Sequence, residues 1–134
     1  DRTGRVLLQR RADSKTRFAS RWSNSCCGHP APGADLAGAA AQRLAAELGL
    51  AAGPLTEVGA FTYRAVDGSG GAVEHEWDHV LVGTLDHGVP APDPTEVSEY
   101  AWVAPPRLDA AIAAAPETYT PWLPGVLRVA TGGR

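Results

Sequence analysis

Apolar residues recur along this chain with two different periods, and the switch between them lays out the elements. Residues 5–11 (RVLLQRR) hold an apolar centre, Val6-Leu7-Leu8, between polar ends, which predicts a first strand after a turn at Gly4. Residues 12–21 are polar and irregular and read as a loop. A short strand is expected over residues 22–25, running into a loop rich in Gly and Pro. Leu36, Ala40, Leu44 and Leu48 then recur every four residues, which predicts a helix over 36–48 with one apolar face. Asp35 stands at its N-cap position and Gly49 where a left-handed residue ends a helix.

The second half opens with two long strands, over 55–66 and 72–85, joined by Asp67-Gly68-Ser69-Gly70-Gly71, a hairpin signal. A turn centred between Ser69 and Gly70 sets Tyr63 opposite Glu76. Residues 86–95 are Pro-rich and loop-like, and 99–103 (EYAWV) predict a further short strand. A helix is expected from about residue 107 to 115, behind Pro105 and Pro106 and ended by Pro116. Thr120 is expected to cap a last helix that opens at Pro121 and carries Trp122, Leu123, Val126 and Leu127. Gly132-Gly133 reads as a tail. The chain shows no internal repeat and no domain boundary, so residues 1–134 are expected to form one domain.

Composition narrows the class. A hydrophobic fraction of 44% with 20% charged residues is ordinary for a globular protein. No apolar run is long enough to cross a bilayer and no signal peptide opens the sequence, so a cytoplasmic location without membrane contact is expected. The two adjacent cysteines are then expected to be reduced thiols, and the lack of a C-x-x-C pair argues against a structural zinc finger.

The net charge of −3 conceals an asymmetry: residues 1–43 carry +5 and the remainder −8. An acidic second half excludes a broadly basic nucleic-acid binder. A basic cluster facing an acidic one suits a small polyanion held with the help of a metal, and equally suits a plain solvated face.

Candidate chemistry gathers in a few places. Cys27 lies two residues from His29 on a loop closed by Gly28 and Pro30, where a thiol beside an imidazole fits catalysis and a buried structural cysteine fits packing. Strand alternation puts Glu74, Glu76 and Asp78 on one face and His75, Trp77 and His79 on the other. Three carboxylates on one face repel unless a cation lies among them, so the strip is either solvated or a metal site. Arg43 and Glu47 form an i,i+4 pair, for which a surface salt bridge is the plain alternative.

Read together, RRADSK (10–15), WSNSCCGHP (22–30), RLAAELG (43–49), FTYRA (61–65), EHEWDHVL (74–81) and TPW (120–122) resemble the type I isopentenyl-diphosphate delta-isomerase family. The resemblance covers nearly all of residues 5–127. It implies an α+β fold, a Nudix-like α/β/α sandwich with a mixed β-sheet. It also implies a substrate, an isoprenoid diphosphate whose double bond is moved by adding one proton and removing another. By the resemblance, Cys27 and Glu76 are the catalytic pair, Tyr63 is the hydrogen-bonding partner of Glu76, and Trp122 covers the hydrocarbon. Arg11, Lys15 and Arg43 match diphosphate contacts. Glu47 matches the carboxylate for a Mg²⁺ that also binds the diphosphate. His29, Glu74 and Glu76 match ligands of a Mn²⁺ or Zn²⁺ site.

Two departures qualify the match. The family's metal site uses two further histidines ahead of the first strand, and Asp1 stands directly before that strand. The sequence is therefore expected to be part of a longer protein. Cys26 precedes the matched cysteine, is expected to point away from the site, and takes no role. A Nudix pyrophosphohydrolase would share the fold, but Ala34, Gln42, Arg43 and Ala46 stand where that family's box has Glu, Arg, Glu and Glu. A diphosphate-binding module without catalysis is the remaining alternative. Nothing in the residues fixes the oligomeric state, and a monomer is the simplest expectation.

Overall fold

Leu7 and Leu8 are neighbours on one strand, and because strand side chains alternate they face opposite sides of its sheet. Each seeds a separate core. Leu7 packs with Leu44, Leu48, Leu50 and Val97, and Leu8 packs with Leu108, Leu123 and Leu127. A sheet with helices on both faces follows directly, the layered arrangement that the family resemblance implies. The computed structural model describes residues 1–66, 73–85 and 88–132, without the side chains of residues 73–75.

The elements are β1 (Val6–Arg11), β2 (Trp22–Ser23), α1 (Leu36–Leu48), β3 (Thr56–Val66), β4 (Val73–Val82), β5 (Val97–Val103), α2 (Pro105–Ala114), a 3₁₀ turn (Pro116–Thr118) and α3 (Leu123–Ala130). β1 lies between β2 and β5, antiparallel to both, and β3 pairs antiparallel with β4. An isolated parallel bridge, Trp22 to Tyr119, draws the segment before α3 alongside β2. α1 supplies Leu44 and Leu48 to one core, while α2 and α3 supply Leu108, Leu123 and Leu127 to the other. α3 also lies against the hairpin. A Cβ on Gly125 would come within 2.3 Å of the Phe61 ring, so only glycine permits this approach.

The hairpin register is the one the sequence predicts: Tyr63 pairs with Glu76. Its turn, over 67–71, falls outside the described residues. Gly49 ends α1 in the left-handed region, φ 64°, with its N–H bonded to Ala45 O. Several expectations need correction. The second strand stops at Ser23, because Asn24 and Ser25 spend their side chains on loop and strand carbonyls. β4 ends at Val82 rather than 85, and β5 begins at Val97 rather than 99. Pro105 and Pro106 lie inside the first turn of α2, where a missing N–H costs nothing. Asp35 makes no side-chain cap bond. The last helix begins at Leu123, and Thr120 bonds Ser23 instead of capping it.

Candidate active site

The site grows from the end of β2. Ser23 is 1% exposed, and its hydroxyl accepts from Thr120 Oγ1 (3.1 Å) and Trp122 Nε1 (3.0 Å) while donating to Asn24 Oδ1 (2.9 Å). Asn24 Oδ1 also accepts from Trp122 Nε1 (3.1 Å) and from the Cys27 thiol (3.3 Å). Asn24 Nδ2 donates to Cys26 O (2.9 Å). One amide thus fixes the indole and the thiol relative to each other. Packing completes the position of the buried Trp122 ring. Phe18 meets it edge-on at 5.4 Å, Tyr63 lies 5.8 Å away, and the Arg11 guanidinium lies 5.5 Å from the ring centre. Phe18 holds φ at 48°, a costly conformation for a bulky residue, and its ring is fully buried in return.

A second group of side chains joins β1, α1 and the loop before β5. Lys15 pairs with Glu96 at 2.5 Å, and Arg43 lies 3.9 Å from the same carboxylate while also bonding Glu47. Glu47 is 4% exposed and accepts a further bond from Gln9 (2.9 Å). Arg43 Nε is buried and makes no hydrogen bond within the described residues, so a buried donor there is left without a partner among them. The Arg43 stem passes against Gly28, where a Cβ would approach it to 3.2 Å.

Both groups open into one cavity of about 400 Å³. Of the residues predicted from sequence, Arg11, Lys15, Cys27, His29, Arg43, Glu47, Tyr63, Glu76 and Trp122 all line it. The side chain of Glu74 lies outside the described residues. A larger, mainly apolar space of about 780 Å³ adjoins it and shares Cys27, Gly28, His29, Arg43, Glu76 and Asp78. That space lacks Lys15, Glu47, Tyr63 and Trp122, so the smaller cavity is where the chemistry collects.

Sequence reasoning missed Gln9, Ser23, Asn24 and Glu96. Gln9 had a readable signal, since it is polar on the same strand face as core residue Leu7. Glu96 had none, being one carboxylate among many in an acidic half.

Cys27 is exposed and lines the cavity, yet the protein atoms around its thiol desolvate it. Burial pushes it up to about 11, against the opposing pull of its Asn24 bond and Arg11, with Asp78 and Glu47 adding to the rise. Cys26 turns to the other side, toward Ala40 O (3.8 Å) and the Leu7 core, as expected. Burial pushes its thiol to about 12, with Cys27 and Glu47 adding to the rise and Arg43 opposing. His29 Nε2 meets Glu76 Oε1 at 2.8 Å, so an imidazole and a carboxylate converge at the cavity edge. No group of three or more His, Cys, Asp and Glu is gathered for a metal ion among the described residues. The His29–Glu76 pair fits two ligands of such a site, and the buried Glu47 beside the unpartnered Arg43 Nε fits an anion held with a cation.

A family model described as the NUDIX domain matches residues 1–123. Isopentenyl-diphosphate Delta-isomerase of Nocardia farcinica is 62% identical over 130 residues, covering 97% of this chain and 73% of that protein. The protein of the same name in Halorhodospira halophila is 48% identical over 119 residues, covering 89% of this chain and 67% of the relative. Among solved structures, the MutT protein of Methanosarcina mazei superposes with a TM-score of 0.76 at 18% identity, over 98% of this chain and 87% of that one. A MutT Nudix hydrolase of Burkholderia pseudomallei gives 0.61 at 21%, over 96% and 89%. At these identities the two structures speak for the fold.

Proposed function

The chain belongs to the Nudix domain family and, within it, to the isopentenyl-diphosphate Delta-isomerases, and from that premise we propose how its cavity moves a double bond. The reaction interconverts isopentenyl diphosphate and dimethylallyl diphosphate. A proton is added at C4 and another is lost from C2, or the reverse. Protonating an unactivated alkene creates a tertiary carbocation that water would trap, so the site has to exclude water and stabilise positive charge.

The observation that carries this reading is the convergence of Cys27, Tyr63, Glu76 and Trp122 with three cationic side chains on one cavity. Cys27 and Glu76 are the proposed acid and base on opposite sides of the hydrocarbon. Tyr63, cross-strand from Glu76, would hold that carboxylate in place. The π face of Trp122 stabilises the cation, and the Arg11 guanidinium beside the ring is consistent with a surface that accepts positive charge. Arg11, Lys15 and Arg43 would bind the diphosphate, Arg43 through the buried Nε donor that has no partner among the described residues.

His29, Glu76 and, by resemblance, Glu74 are the proposed ligands of Mn²⁺ or Zn²⁺, and Glu47 the carboxylate that shares Mg²⁺ with the diphosphate. Such ions, when bound, would offset the charge of the diphosphate, and Glu76 would serve both as a ligand and as the group that handles a proton. Hydrolysis finds no support, because Glu47 is the one acidic residue of α1.

A direct assay tests the function. Isopentenyl diphosphate should convert to dimethylallyl diphosphate in a Mg²⁺-dependent manner without release of phosphate. Phosphate release without isomerisation would replace this reading with a hydrolase.

A further inference from the structure

The reaction as described gives Gln9 nothing to do, yet Gln9 is 4% exposed at the centre of the site. Its side-chain nitrogen donates to Ser25 O (2.5 Å) and to Glu47 Oε1 (2.9 Å). Both partners only accept, so the NH₂ end must face them and both of its hydrogens are spent. Ser25 is two residues before Cys27 and is itself anchored, its hydroxyl donating to Leu7 O (2.6 Å). Glu47 is buried, and its other oxygen bonds Arg43. One amide on β1 therefore joins the loop that carries the thiol to the helix that carries the buried carboxylate.

We propose that Gln9 is a positioning residue that holds Glu47 and the Cys27 loop in a fixed relation, so that the diphosphate end and the reacting end of the cavity stay in register. This rests on the roles proposed above for Glu47 and Cys27. Both hydrogens of the Gln9 amide are spent on Ser25 and Glu47, so Gln9 acts through these two. A buried carboxylate that loses a hydrogen bond becomes mobile or draws in water, and a loop that loses its carbonyl anchor moves more freely, so its already exposed thiol is approached by a reagent from more directions.

Two measurements that need no turnover test the proposal. The first is the affinity for inorganic pyrophosphate at saturating Mg²⁺, by calorimetry. The second is the rate of Cys27 alkylation by iodoacetamide, read by mass spectrometry. Gln9→Leu should weaken pyrophosphate binding about tenfold and speed Cys27 alkylation several-fold. In a Glu47→Gln background the same change should alter pyrophosphate affinity less than about twofold, because the carboxylate through which Gln9 acts is gone.

Gln9→Met keeps the side chain's length, removes both donors without adding a charge beside Glu47, and decides the matter where Gln9→Leu does not fold. Wild-type behaviour of a folded Gln9 variant in both measurements, or an equal loss of affinity in the Glu47→Gln background, overturns the proposal. A wild-type protein that binds magnesium pyrophosphate but does not isomerise would remove the proposed reaction and leave the Gln9 result readable.

Discussion

At one end of the cavity Lys15, Arg43, Glu96 and Glu47 pair with one another, three of them across partly exposed contacts. At the other end Ser23, Asn24, Thr120 and Trp122 are cross-linked in a network in which Ser23, Thr120 and Trp122 are buried. The first arrangement is exchangeable. Ion pairs near water are worth little, so an arriving diphosphate can replace a carboxylate as the partner of Lys15 or Arg43 at small cost. The second is not exchangeable, because each donor and acceptor there would be left unsatisfied if its partner moved. The binding end can therefore adjust to its ligand, whereas the reacting end must already be in place.

The largest effect expected from that contrast is at the thiol. Cys27→Ala should lower isomerisation by a factor on the order of 10²–10⁴, the span of a general acid or base. Cys26→Ala should retain most of the activity, since Cys26 turns toward Ala40 and the Leu7 core. Steady-state rates of the two variants decide it. Equal losses would mean that the loop, and not the Cys27 thiol, is what matters.

Trp122 tests the reacting end more finely. Its ring could act through its π face or merely fill space. Trp122→Leu should lower activity about thirtyfold, matching about 2 kcal/mol for a desolvated cation over an aromatic face. Trp122→Phe should lose clearly less. Both variants forfeit the indole N–H bonds to Ser23 and Asn24, so the difference between them isolates the ring face. Equal activity in the two would make Trp122 a packing residue.

The two ends also differ in how well the sequence reveals them. Cys27, Tyr63, Glu76 and Trp122 were singled out by the family resemblance, while local pattern by itself supplied only the Cys27–His29 loop and the cross-strand register of Tyr63 and Glu76. The Tyr63–Glu76 pairing follows from turn chemistry alone. The polar partners that hold them were not legible. Ser23 and Thr120 are 97 positions apart, and a hydroxyl has no periodicity that marks it as buried. Thr120 was assigned to a helix cap because local pattern favours Thr there, and the tertiary bond to Ser23 overrode it. In the fold, both cores follow from the Leu7/Leu8 alternation and the four-residue spacing of α1. The ends of β2, β4 and β5 depend on long-range pairing and were misplaced by two or three residues.

The smallest effect is expected at Glu96, where the binding end is most open to adjustment. Its carboxylate holds Lys15 at 2.5 Å and lies 3.9 Å from Arg43, with side chains that keep 25–43% of their surface exposed. A diphosphate competes with Glu96 for those two cations. Glu96→Gln preserves shape and leaves an oxygen that can accept from Lys15, but removes the competing charge. KM for isopentenyl diphosphate should then fall about two- to fivefold with kcat unchanged, in keeping with less than about 1 kcal/mol for a partly exposed pair. Added salt should narrow the difference between wild type and variant, because exposed charges are screened. A rise in KM would show instead that Glu96 orients Lys15 and Arg43 toward the ligand. The binding end would then be as fixed as the reacting end.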